Sequence, residues 1–575
     1  MISSAAEALN VPKKRWLRCF ILQTSISVFV WLLLGSNISN FFLWSKDSCL
    51  RLSFVEKLLR FLLFSTSQII FLLGEALVTH PEDKDAATAT DIIFGFLKLA
   101  WRAIVGASLD KDSARDNAFL VRKLQTSRDR ALFVFSCAIS GALSLVSLTW
   151  NFPSHLSARE EACRGAALGL LYAFWHLYTK RMILRFPIIQ VHTSYFYRHI
   201  KQHVHVVSRR SPFFTLKLGL KDMLWRSLKL AGISVPFAES SILILNTSTF
   251  AVNQNDFEMS FIARELGFMV SAAFTALLWE IAHHLVEALH TRRFRFAPPF
   301  GTSAAETNPS DMLLLALEET EKSSLTHYLA TLDLCMLSEH NSDTWRLYAL
   351  FEETGETYSV LMSICLKPLN MLTVKLAKGL DELSGAYAKH SLEQQMKSAG
   401  QDVITPAYQI LRDYQLCSWC ARILSSLTAS SKFIDRYGVA QLRGCNGAVV
   451  SSLISCLLVI EVYLGRRSST HPGQMIGSQN IKWTIPSRGT VVDPGKKQGF
   501  PFSKKSELYK KAYAMADVLR TSLYQIVSTF RKEMFLSGPA GMTISEKDWL
   551  DRGQPLYGTR ELHIQILRLL LDFRL

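Results

Sequence analysis

A chain of 575 residues that is 49% hydrophobic and 19% charged, with a mean hydropathy of +0.16, is too apolar for a disordered or collagen-like protein. Soluble chains carry roughly 25% charged residues, so an ordinary cytosolic enzyme is a poor fit once the apolar residues are found in blocks. The net charge of +16, from 64 Lys+Arg against 48 Asp+Glu, suits either nucleic acid or basic loops beside a membrane, and its distribution along the chain decides.

A bilayer core of about 30 Å takes about 20 apolar residues in a helix. The first predicted span covers about 17–36, most of it in a stretch from Cys19 to Ser45 that has no charged residue. It is too long for a signal peptide and is followed by no A-x-A site. The second covers 61–78, interrupted only by Glu75, and the third, 131–150, has no charge at all. The fourth, 162–179, is bounded by Arg164 and Lys180. The fifth, 230–252, carries Pro236 and Glu239, and the sixth, 261–286, carries Arg264, Glu265 and Glu280. Trp16, Trp44, Trp150, Tyr178 and Trp225 mark edges at headgroup depth.

Lys13, Lys14, Arg15 and Arg18 precede the first span, and Arg292, Arg293 and Arg295 follow the sixth. The loops 79–130 and 180–223 hold nine basic residues each, whereas 151–161 has only Arg159 and 246–260 has none. Lys46, Arg51, Lys57 and Arg60, between the first two spans, break this alternation. The positive-inside rule then places both termini and the two long loops in the cytoplasm. Ile92–Leu109 is long enough to span, but Lys98 and Arg102 near its middle would each cost about 2.5–3.5 kcal/mol at a bilayer centre. It is expected to lie at the interface through Leu97, Lys98, Trp101 and Arg102, as is a second helix over Ser211–Leu228. Asn37 and Asn246 head glycosylation sequons on the predicted lumenal side.

The expected fold class is therefore all-α: a polytopic membrane protein with six transmembrane helices over 1–296, a linker over 297–310, and a helical cytoplasmic domain over 311–575. Helical periodicity recurs over 311–321, 324–337, 358–387, 405–433 and 508–535, with a Gly/Pro/Ser/Lys-rich flexible insert at about 466–505. Cys445–Leu464 is apolar enough to span, but is read as a buried core helix. The terminal stretch puts Leu562, Ile566, Leu569, Leu570 and Phe573 on one helical face, for a partner, a membrane surface or the domain's own core.

Catalytic patterns are near misses. Cys417 and Cys420 form a C-x-x-C with no second pair, Gly495-Lys496 lacks the spacing of a phosphate loop, and neither H-E-x-x-H nor G-x-S-x-G occurs. His199, His203, His205 and the pair His283–His284 are too few for the histidine boxes of a membrane di-iron oxygenase. Ten cysteines are too sparse for a disulfide scaffold, and Cys19, Cys137 and Cys456 sit in apolar runs, where a thiol acts as a small hydrophobe. Glu75, Glu239 and Glu280 are functional candidates as ionisable residues within spans, although Glu75 and Glu280 fall near predicted ends, where water is expected to reach them. No catalytic, cofactor-binding or metal-ligating residue is assigned on these grounds.

One block carries a family likeness. Over 325–373, Leu329-Ala330, Asp333-Leu334, Ser338, Arg346, Phe351, Gly355 and Cys365-Leu366 follow an L-A-x-x-D-L, serine, Arg before Phe, glycine, C-L pattern. Together with six spans and a helical C-terminal domain, this resembles the transmembrane nucleoporin of the nuclear-division-cycle (Ndc) family. Trp345-Arg346 and Tyr358 stand where that family often has a paired arginine and a tryptophan. The resemblance implies a non-enzymatic anchor of the nuclear pore complex in the nuclear envelope. Its partners would be anionic membrane lipids and soluble nucleoporins such as the WD-repeat protein aladin and inner-ring scaffold components, without direct nucleic acid or cofactor. It also offers Leu329, Asp333, Leu334, Arg346, Phe351, Cys365 and Leu366 as a partner-binding block. The alternative is a polytopic small-solute transporter with a cytoplasmic regulatory domain.

Overall fold

The computed structural model describes residues 10–42, 54–82, 111–149, 158–186, 212–245, 257–298, 301–307, 309–318, 324–339, 343–389, 411–468, 504–536, 543–544, 549–551 and 553–572. Among these the chain is helical apart from one antiparallel pair of two-residue strands, β1 (Phe535–Leu536) and β2 (Thr543–Ile544). It divides into two compact units, with the main boundary between Arg293 and Phe294.

The N-terminal unit is built from α1 (Val11–Phe42), α2 (Phe54–Val78), α3 (Lys111–Thr149), α4 (Ala158–Tyr178), α5 (Pro212–Leu245) and α6 (Phe257–His290). Successive helices pack side by side, and α6 touches each of the other five. Their contacts fix alternating directions. Ser67 on α2 shares a 2.7 Å hydrogen bond with Ser144 on α3, while Phe71, one turn further along α2, meets Phe133, three turns back along α3. At the other extreme of the unit's chain, Arg15 donates to the carbonyls of His290 (2.7 Å) and Arg292 (2.6 Å), so the start of α1 caps the end of α6.

Burial in this unit departs from that of a water-soluble bundle, with polar groups set into an apolar core and many apolar side chains turned outward. Arg164, Glu75, His176, Ser67, Gln68 and Ser144 are buried, while Leu17, Ile21, Phe29, Leu62, Leu73, Phe135, Ile139, Phe174, Trp225 and Phe237 are exposed. An apolar outside, with ionisable and hydroxyl groups kept to the core, suits hydrocarbon as the surrounding medium. Small residues and hydroxyls hold the helices together, as they do where lipid removes the hydrophobic drive between helices. Gly165 and Gly169 of α4 lie directly on the backbone of Gly141, Cys137 and Ala138 in α3, leaving no room for a Cβ at any of the three glycines.

The helices outrun several predicted spans. α3 begins at Lys111, because Lys111–Arg130 is charged yet contains neither Gly nor Pro to stop it. The separate interfacial helix expected over Ser211–Leu228 does not form, since Pro212–Leu245 is one helix running through Pro236. Five helices among the described residues are long and apolar enough to cross a membrane: Leu58–Val78, Val121–Leu148, Glu265–His290, Glu356–Leu380 and Cys445–Gly465. The first three coincide with predicted spans. The predicted spans at 17–36, 162–179 and 230–252 are helical wherever described, in α1, α4 and α5, but are not among the five.

The last two belong to the C-terminal unit, which comprises α7 (Ser303–Thr307), α8 (Asp311–Glu318), α9 (Leu325–Glu339), α10 (Thr344–Ala349), α11 (Glu356–Lys389), α12 (Tyr414–Ile434), α13 (Val439–Leu442), α14 (Cys445–Ser468), α15 (Lys504–Thr529), α16 (Arg531–Met534) and α17 (Arg560–Asp572). Helices α11, α12, α15 and α14 close a four-membered ring. The apolar window of α14 is 83% buried by its neighbours, against 44% in α2 and α3, so its all-round hydrophobicity is that of a core helix. α11 is instead amphipathic, with Ser363, Lys367, Lys375 and Lys378 on its exposed stripe. α17 packs on α14 and α15, so the terminal helix serves its own core. Its buried face is His563, Ile566, Leu567, Leu570 and Leu571; Leu569, expected inside, is exposed.

Candidate functional site

Two residues of the family block, Asp333 and Arg346, meet in one clamp. Asp333 on α9 accepts hydrogen bonds from the Phe296 backbone N–H (3.0 Å) and from Arg346 Nη2 on α10 (2.8 Å). The same nitrogen of Arg346 also donates to the Phe296 carbonyl (3.1 Å), and Arg295 pairs with Asp343 at 3.2 Å. Both backbone groups of Phe296 are thus satisfied by a buried ion pair, six residues after the end of α6. Gly355 has a φ of +68°, and a Cβ there would lie 2.5 Å from Val439 Cγ1, so the block's glycine answers a steric need. Phe351 packs on Tyr358 with ring centroids 5.1 Å apart.

The residues of the block lie mostly inside the C-terminal unit. Leu329, Asp333, Leu334, Arg346, Phe351 and Cys365 are all buried, and Leu366 is half-buried. They hold the C-terminal unit together and do not form an open docking surface. The interfacial candidates Leu97, Lys98, Trp101 and Arg102 lie outside the described residues, as do His199, His203 and His205. Cys417 and Cys420 are buried, the Cys417 thiol pushed well up by burial and the Cys420 thiol by its hydrogen bond with Cys365 and by burial. Neutral thiols of this kind are poor nucleophiles and poor metal ligands.

The N-terminal unit holds a second constellation, on two levels. At one, fully buried Arg164 of α4 pairs with both Glu239 of α5 and Glu265 of α6, and its guanidinium lies 5.0 Å from the Phe268 ring centroid. About 18 Å further along α4, at 1.5 Å per residue, His176 meets Glu75 of α2 and His283 of α6. His283 Nδ1 and Glu75 Oε1 are 2.7 Å apart, and the His176 and His283 rings are 5.0 Å apart edge to face. Arg181 grips Glu280 beside them through contacts of 2.5 and 3.0 Å. Between the levels lie Phe71 stacked on Trp279 (5.1 Å) and Tyr172 against Trp279 (5.0 Å). Glu75 and Glu280 are buried within the unit, contrary to the expectation that water reaches them near helix ends, because α6 is packed on every side there.

No protein-family model matches the chain, and no curated protein does either. The two constellations therefore have to speak through their own geometry. Glu75, His176 and His283 offer ligand atoms that all lie within 4.8 Å of one another and are the group among the described residues that could hold a metal ion. Sequence reasoning singled out Glu75 and the His283–His284 pair but not His176. It assigned none of them to a metal, because three ligands from three helices leave no local motif.

Proposed function

We propose that the chain is a six-pass membrane anchor of the nuclear pore complex, of the kind formed by transmembrane nucleoporins of the nuclear-division-cycle family. Both termini and the C-terminal unit lie on the cytoplasmic side. The unit recruits soluble nucleoporins, aladin and inner-ring scaffold components among them, through surfaces other than the buried block, and the basic loops face an anionic leaflet, where each Lys or Arg contributes about 1 kcal/mol.

The observation that carries this reading is the Phe296–Asp333–Arg346 clamp. Two residues of the block that resembles the family fix Phe296, six residues after α6, into the C-terminal unit, as an anchor under tension requires. Topology is supported by the Arg15 cap on the end of α6, which brings the two ends of the N-terminal unit's chain together beside Arg292. The transport alternative would draw on Glu239. That carboxylate and Glu265 share the buried guanidinium of Arg164, a knot better suited to fastening helices than to a group that must change partners.

Imaging and co-purification of a tagged full-length chain test the reading. An anchor gives a punctate nuclear rim and brings nucleoporins down with it, and Glu239→Gln leaves that distribution in place. Uniform spread over the endoplasmic membrane without nucleoporins, together with solute uptake abolished by Glu239→Gln, would establish the transporter.

A further inference from the structure

We propose that Glu75, His176 and His283 form a binding site for one divalent transition-metal ion of the zinc class, fastening α2, α4 and α6 to one another. Two imidazoles and one carboxylate are the N/O donor set that zinc and its neighbours take, whereas calcium and magnesium prefer oxygen alone. Around a tetrahedral zinc with bonds of about 2.0–2.1 Å, neighbouring ligand atoms sit about 3.3 Å apart. The ligand atoms all lie within 4.8 Å of one another, on either side of that spacing, and the 2.7 Å contact between His283 and Glu75 opens as an ion enters.

Burial is the second, independent argument. Glu75 and His176 are each 1% exposed. The His283 contact uses one oxygen of Glu75, leaving Oε2 buried without a hydrogen-bond partner, and His176 Nδ1 is buried in the same state. A buried carboxylate oxygen and a buried ring nitrogen left unmatched are costly in an apolar surround, and a cation held by these side chains offsets that cost. The neighbouring carboxylate, Glu280, is already matched by Arg181, so it does not compete for the ion. The Phe133 and Tyr172 rings flank His176, with centroids 5.1 and 5.8 Å from its own. Three protein ligands leave one position of a four-coordinate ion for water.

The test uses the full-length protein in detergent, stripped with EDTA and titrated with Co²⁺ as a spectroscopic stand-in for Zn²⁺. The expected result is one Co²⁺ per chain with the visible d–d absorption of a four-coordinate ion, displaced by Zn²⁺. His176→Gln and Glu75→Gln each weaken binding at least tenfold, while His284→Gln, next along α6, leaves it unchanged. Should a ligand variant fail to fold, the wild type alone suffices: EDTA lowers its unfolding temperature and Zn²⁺ restores it. Co²⁺ bound equally well by wild type and His176→Gln, or an unfolding temperature indifferent to both EDTA and Zn²⁺, overturns the proposal.

Discussion

Asp333→Ala destabilises the C-terminal unit by about 3–5 kcal/mol, the usual cost of removing one partner from a buried ion pair. The loss is large because three groups depend on one carboxylate oxygen. Arg346 loses its 2.8 Å counter-ion and keeps only Asp343 at 3.8 Å, the Phe296 N–H loses its acceptor, and the geometry that holds Arg346 on the Phe296 carbonyl goes with it. Hydrogen exchange of the α9 amides in the full chain reads the effect as an acceleration of two to three and a half decades, at about 1.4 kcal/mol per decade. Replacing both partners, Asp333→Leu with Arg346→Met, recovers part of the loss, because the unpaired charge is gone while the two Phe296 backbone groups still cost about 1–3 kcal/mol each. Exchange within threefold of wild type in Asp333→Ala would remove the clamp from the account.

Arg164→Met destabilises the N-terminal unit by up to about 3 kcal/mol, below the 3–5 kcal/mol of a wholly buried pair, because the Glu239 side chain left behind is 37% exposed and can be solvated. Arg164 is fully buried and is the cation shared by Glu239 and Glu265, so its removal leaves two carboxylates from adjacent helices facing each other. Arg164→Lys does not rescue, since a single ammonium cannot fork to two carboxylates as a guanidinium does. Changing all three, Arg164→Met with Glu239→Gln and Glu265→Gln, restores most of the stability, because a fully neutral knot carries no unpaired charge. The readouts are the level of protein recovered in detergent and its unfolding temperature. A single Arg164→Met variant as stable as wild type would show that the knot fastens nothing.

Composition carried the architecture further than it carried the sites. The stretches 61–78 and 131–150 are legible as long apolar helices because hydropathy is a summed property that survives without knowledge of neighbours. The charged run Lys111–Arg130 hides from that signal, yet it is helix, because nothing in it interrupts the backbone ladder. For Cys445–Leu464 the periodicity alone fits either a span or a core, and only burial among α11, α15 and α17 separates the two. Arg164 reads in sequence as the boundary of a span. Its partners lie 75 and 101 residues away, and those joined at Glu75 and His283 are 208 apart, so no window along the chain contains both sides of either contact. The family block was legible as a pattern but not as a role. Asp333 and Arg346 lie 37 and 50 residues from Phe296, and the fold brings the three together.

The most direct measurement is protease protection of sealed microsomes bearing the chain with a different tag at each end. The account predicts that protease removes both tags without detergent, leaving membrane-protected fragments from the region before Arg293. A C-terminal tag that survives until the membrane is dissolved, while the N-terminal tag is clipped, would contradict it.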